Sequence, residues 1–164
     1  MGKIPVLAFS AYAGVGKTTL IEKLIGVLKR QGLRVAVLKH DGHNFETDCE
    51  GKDSWRFTKA GADISIICSD EKTAIVEQYA TPLPKLLQRI QNVDIILVEG
   101  GKNVPMPQIG LSRGASGKGL PNVPERYVAI VTDEDIATQV PKFSFEDVEG
   151  IATFIMTYML ALHF

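Results

Sequence analysis

Lys17 and Thr18, preceded by Gly14 and Gly16, are the residues of this chain whose types and spacing do chemistry together. The stretch runs I-P-V-L-A-F-S-A-Y-A-G-V-G-K-T-T-L from Ile4 to Leu20. Glycines let the backbone turn tightly, so that successive N–H groups point at one anion. A helix starting at Lys17 adds unpaired amides and the positive end of its dipole. Ala13, Gly14, Val15, Gly16, Lys17, Thr18 and Thr19 then form a cup for a polyphosphate. The Lys17 ammonium belongs at the β- and γ-phosphates, the Thr18 hydroxyl on Mg²⁺, and Thr19 near the α-phosphate. The pattern G-x-x-x-x-G-K-[ST] departs at its first position, which is Ala11. Alanine fits there if its φ stays negative.

The elements that must position this cup follow from periodicity. Ile4 to Phe9 is an apolar run of strand length, and Leu20, Leu24, Ile25 and Leu28 recur at helical spacing. The helix is expected over Lys17 to Gln31, stopped by Gly32, with a parallel strand at Arg34 to Lys39. A polar loop covers residues 40–54, and a short helix runs from Ser54 to Ala60. Asp63 to Ser69 and Thr73 to Tyr79 read as an antiparallel hairpin. A helix then starts at Pro82 or Pro84, with Leu86, Leu87 and Ile90 inward. Val93 to Val98 reads as a central strand. Residues 102–125 read as a mobile connection with one edge strand at Gln108 to Ser112, and Tyr127 to Val131 as a further core strand. Ser144 and Asp147 resemble a capping box for a last helix that is apolar nearly all round. The fold class expected is α/β, a P-loop NTPase with a mostly parallel sheet flanked by helices and an antiparallel hairpin extension. Residues 1–164 are expected to form a single nucleotide-binding domain.

The metal needs a carboxylate, often through water. Asp94 and Glu99 stand five apart, about 16 Å along a strand, so only Glu99 reaches the carboxyl end where the phosphates lie. Asp94 reads as a solvated strand-start residue. Asp41, Asp48 and Asp53 follow the second strand, and each can approach the γ-phosphate, its Mg²⁺ or the attacking water. We assign Lys17, Asp53 and Glu99 to catalysis and Thr18, Glu99 and Asp48 to the metal. Asp133 follows the last core strand, where a carboxylate accepts paired hydrogen bonds from guanine, which favours GTP over ATP. Arg113 is a candidate anion contact. His40 and His43 have a spacing that binds a transition metal only on a helix, which Gly42 opposes.

Composition excludes several other classes. The 45% hydrophobic and 23% charged content is that of a globular protein, and a net charge of −1 with no basic block argues against nucleic acid and anionic membranes. Cys49 and Cys68 make no metal spacing or disulfide framework. Cys68 reads as core, and reduced thiols point to a cytoplasmic location. The segment 151–164 is too short to span a bilayer. The apolar start is too short for a secretory leader, whose cleavage would also destroy the glycine loop.

Three signatures resemble one family. They are A-G-V-G-K-T-T-L at 13–20, K-H-D-G-H-N-F-E-T-D-C-E-G-K-D-S at 39–54 with A-G-A at 60–62, and L-V-E-G at 97–100. Together the chain resembles the molybdopterin-guanine dinucleotide biosynthesis adaptor (B protein) family. The resemblance implies a SIMIBI-class GTP-binding homodimer using GTP and Mg²⁺. It implies that the protein assists the molybdenum cofactor guanylyltransferase, the A protein of the pathway, near molybdopterin, with weak GTP hydrolysis. Lys39, His40, His43, Asp48, Gly51, Lys52, Asp53 and Ser54 match the middle signature. Gly101 and Gln108 depart from the family pattern, where an aromatic residue and a lysine are usual. The alternatives on the same scaffold are a small-molecule kinase and a metal-delivery GTPase using His40, His43 and Cys49.

Overall fold

The apolar run after Pro5 forms β1 (Val6–Ser10), and residues 7–10 are fully buried. Such a strand needs cover on both faces, as in a parallel sheet. The computed structural model describes residues 4–40, 45–101 and 104–161, so Asp41, Gly42 and His43 lie outside the described residues. β1 leads into α1 (Lys17–Arg30), which returns to β2 (Val35–His40). β5 (Ile95–Gly100), β6 (Gln108–Ser112), β7 (Ala129–Thr132) and β8 (Lys142–Phe143) complete a six-stranded sheet in the order β2-β5-β1-β6-β7-β8. Every pairing in it is parallel. α4 (Val148–Ala161) closes the element order.

The chain divides into two compact units. The first, residues 1–42 and 92–164, holds this sheet with α1 and α4. Its core joins Leu20, Leu24 and Leu28 of α1 and Ile151 and Ile155 of α4 to Phe9, Leu97, Ile109 and Val131 of the sheet. The second unit, residues 43–91, holds α2 (Asp53–Lys59), the antiparallel pair β3 (Ile64–Cys68) and β4 (Thr73–Glu77), and α3 (Leu83–Arg89). The mostly parallel sheet flanked by helices, with a separate antiparallel hairpin, is the expected fold class.

Four local readings are corrected. Gln108–Ser112 is an interior strand, hydrogen-bonded between β1 and β7 and fully buried. Its glycine disguised it: a Cβ on Gly110 would sit 2.7 Å from the Tyr127 ring, so the small residue accommodates a packed aromatic. Cys68 is exposed, because the two-stranded sheet does not cover both of its apolar faces. The capping box is not formed; the Asp147 carboxylate itself accepts the Gly150 N–H at 3.0 Å and caps α4. β8 had no strong apolar run to announce it.

The fourth correction is Asp94, which is not merely solvated. Its two oxygens accept from the Arg34 backbone N–H (2.7 Å), Nε (3.2 Å) and Nη2 (3.0 Å). The pair ties together the starts of the neighbouring strands β2 and β5. Hydrogen bonds from Arg34 hold the Asp94 carboxyl at about 2. That is below the unfolded value near 4, so the stabilisation is complete above about pH 4 and is lost as pH falls toward 2. Asp94→Asn is expected to flatten the fall of Tm across this window, measured by thermal melts at stepped pH. Identical slopes for both proteins would show that the clamp contributes nothing.

Candidate functional site

The turn after β1 is built by two left-handed residues, Gly14 at φ +83° and Gly16 at φ +101°. Between them Val15 is completely buried in the main core and anchors the loop. Ala11, at the position where glycine is usual, is buried with a negative φ, so the substitution costs no strain. α1 begins directly at Lys17 with Gly16 as its N-cap. The Gly16 carbonyl accepts from Leu20, yet no side chain caps the helix and its first turn holds no acid. Its leading amides are therefore available to an anion.

Cations grip the loop by its carbonyls. Lys17 Nζ donates to Ala11 O and Tyr12 O, both at 3.2 Å. Lys118 Nζ reaches Ala13 O at 3.4 Å, and Arg113 Nε donates to Val15 O at 3.3 Å. The Arg113 guanidinium lies 3.9 Å above the Phe145 ring and 3.8 Å from Asp133 Oδ2. Asp133 Oδ1 accepts the Gly114 N–H at 2.7 Å. Arg113, read from sequence as an anion contact, is thus fixed beside the glycine loop by an aromatic ring, a carboxylate and a carbonyl.

Thr18 Oγ1 donates to Glu99 Oε1 at 2.7 Å, across 81 residues of sequence. The hydroxyl and carboxylate that sequence assigned to the metal therefore stand side by side at the start of α1. A hard divalent cation takes such an oxygen pair, directly or through water, so the residues fit Mg²⁺. Asp48 and Asp53 belong to the second unit. There Asp48 accepts the Cys49 N–H at 2.8 Å, and Asp53 opens α2 and pairs with Arg56 at 3.6 Å. His40 is exposed at the end of β2, and His43 lies outside the described residues. Among the described residues no group of three His, Cys, Asp or Glu side chains is placed to hold a metal ion.

Next to the loop is a cavity of about 300 Å³ lined by Gly14, Gly16, Thr19, Lys23, Arg113, Phe145 and Glu146. Sequence reasoning missed Lys23, Phe145, Glu146 and Lys118. Lys23 was legible as one helical turn beyond Thr19, on the same face. Phe145 and Glu146 follow β8, and residues after a parallel strand sit at the ligand-binding edge.

A profile described as "Molybdopterin guanine dinucleotide synthesis protein B" matches residues 6–133. The chain belongs to this family. It is 38% identical over 165 residues to the molybdopterin-guanine dinucleotide biosynthesis adapter protein of Haemophilus influenzae, covering 98% of this chain and 93% of that one. With the Escherichia coli adapter protein it shares 37% identity, covering 95% and 94%. The crystal structure of Bacillus subtilis MobB superimposes with a TM-score of 0.77 at 28% identity, over 94% of this chain and 97% of that one. Family membership agrees with the resemblance read from the three signatures.

Because Gly16 has a φ that side chains rarely adopt, Gly16→Ala should destabilise the chain by about 1–3 kcal/mol in urea titration. An unchanged midpoint would mean that the loop relaxes freely and is not held in the left-handed state.

Proposed function

We propose that this chain is a GTP-binding adaptor in molybdopterin-guanine dinucleotide biosynthesis. One observation carries the nucleotide part: a left-handed glycine turn feeds an uncapped helix whose first residues include Lys17 and the Thr18–Glu99 pair. Amides from Ala13 to Thr19 bind the phosphates, and the Lys17 ammonium adds charge at the β- and γ-phosphates. Thr18 and Glu99 hold Mg²⁺, which when bound neutralises charge on the polyphosphate oxygens. The adapter role comes from the names of the family relatives, and the resemblance read from the three sequence signatures makes the guanylyltransferase of that pathway the partner of choice.

Two further features belong to this reading. Ile64, Ile66, Ile67 and Ile75 of the two-stranded sheet are all about half exposed or more. A second copy of the chain would remove that apolar surface from water, which supports a homodimer. Among the described residues no helix is long and apolar enough to cross a membrane. With the pathway assignment, this supports a cytoplasmic place of work.

Lys17→Ala is expected to weaken GTP binding by about tenfold to a hundredfold in calorimetry, with Tm little changed. Equal affinity for both proteins would remove Lys17 from the phosphates. Glu99→Gln should abolish the gain in GTP affinity on adding Mg²⁺ while leaving metal-free binding as it was. An intact magnesium effect would place the ion elsewhere. The immobilised chain should capture the purified guanylyltransferase in the presence of GTP and Mg²⁺, and failure both with and without nucleotide would sink the adaptor assignment.

A further inference from the structure

The cavity beside the glycine loop has a chemistry that the phosphate contacts do not use. A polyphosphate seated on the loop ends with its α-phosphate at Thr19, and the nucleoside must continue from there. Thr19 is also a lining residue of the cavity. One wall is the Arg113 guanidinium, backed at 3.9 Å by the nearly buried Phe145 ring. A guanidinium plane is a surface on which nucleobases stack. Glu146 also lines the cavity; its side chain is 84% exposed, and its carboxylate lies 4.0 Å from Lys23 Nζ. That distance is too long for a hydrogen bond, so its acceptor capacity is not consumed by the lysine.

We propose that this cavity receives a guanine nucleoside and that Glu146 is the residue that reads its base. The inference rests on the phosphate-loop reading above. An ionised carboxylate only accepts hydrogen bonds. Guanine presents two adjacent N–H donors on its Watson–Crick edge, whereas adenine presents a donor beside an acceptor, so a carboxylate selects guanine. Asp133, another carboxylate at this edge of the sheet, has its Oδ1 committed to the Gly114 N–H at 2.7 Å, while its Oδ2 stands 3.8 Å from Arg113. It therefore offers the paired donors of guanine one uncommitted oxygen rather than two.

Calorimetry with inorganic tripolyphosphate, GTP, XTP and ATP, each with Mg²⁺, separates the two levels of the argument. Xanthine keeps N1–H but carries an oxygen in place of the 2-amino group, so it matches a glutamine. Glu146→Gln is expected to lose GTP affinity by about tenfold to a hundredfold, gain XTP affinity and leave tripolyphosphate binding unchanged. A Glu146→Gln protein that still prefers GTP over XTP would overturn the proposal, as would transfer of the preference to XTP by Asp133→Asn instead. If the unaltered protein bound neither tripolyphosphate nor any nucleotide, the phosphate-loop reading would fall, and this inference with it.

Discussion

The left-handed backbone at Gly14 and Gly16 is the constraint on which the rest of the site depends. A side chain at either position would face a φ that L-residues rarely hold, so the turn exists only because Cβ is missing there. The turn would still be a soft loop without Val15, whose side chain is fully buried between the two glycines. Burial of that one side chain couples loop shape to core packing: moving the loop means withdrawing Val15 from contact with the sheet and helices. Interiors are close-packed and resist such displacement. The loop is therefore as rigid as the core that holds it, which is the preorganisation an anion cup needs.

Parallel strand order does the remaining placement. Because all six strands run the same way, whatever follows each strand arrives at one edge of the sheet. β1 delivers the glycine loop there, β5 ends at Glu99 and Gly100, β6 is followed by Arg113, β7 by Asp133, and β8 by Phe145 and Glu146. Residues distant in sequence become neighbours without any special device: Thr18 and Glu99 meet at 2.7 Å, and Arg113 reaches Val15 across 98 residues. The Asp94–Arg34 clamp fixes the opposite ends of β2 and β5, so the register that brings Glu99 beside Thr18 is held from both sides.

What could be read before the structure divides along the same physical line. The glycine loop, α1 and Glu99 were legible because their signals are local: residue type, spacing and period. The helix-strand alternation also made the parallel sheet legible. Strand order was not, and so Gln108–Ser112 was placed at an edge; its burial comes from neighbours that no periodicity within five residues can name. Cys68 failed for the converse reason. Apolar alternation identifies a strand, but it does not say whether a second layer covers it. Asp94 looked solvated because its partner, Arg34, starts a different strand. The cavity beside the glycine loop was missed since its walls come from the loop itself, from α1 and from the residues that follow β6 and β8, and β8 has only two residues.

Peptide geometry links the cations of the loop to its amides. In a trans peptide the C=O and the following N–H point in opposite directions. Among the described residues there are no cis peptides. The carbonyls of Ala11, Tyr12, Ala13 and Val15 are held by Lys17, Lys118 and Arg113. Each carbonyl turned toward a cation turns the next residue's N–H the other way. Tyr12, Ala13, Gly14 and Gly16 therefore have amide directions set by side chains that bind the opposite face of the same peptides. The cations also screen the carbonyl dipoles, which would otherwise oppose an anion nearby. Arg113 and Lys118 come from the Gly- and Pro-rich segment that looked like a mere connection. That segment orients the loop through its carbonyls, and its positive charge adds to the potential that the helix end creates.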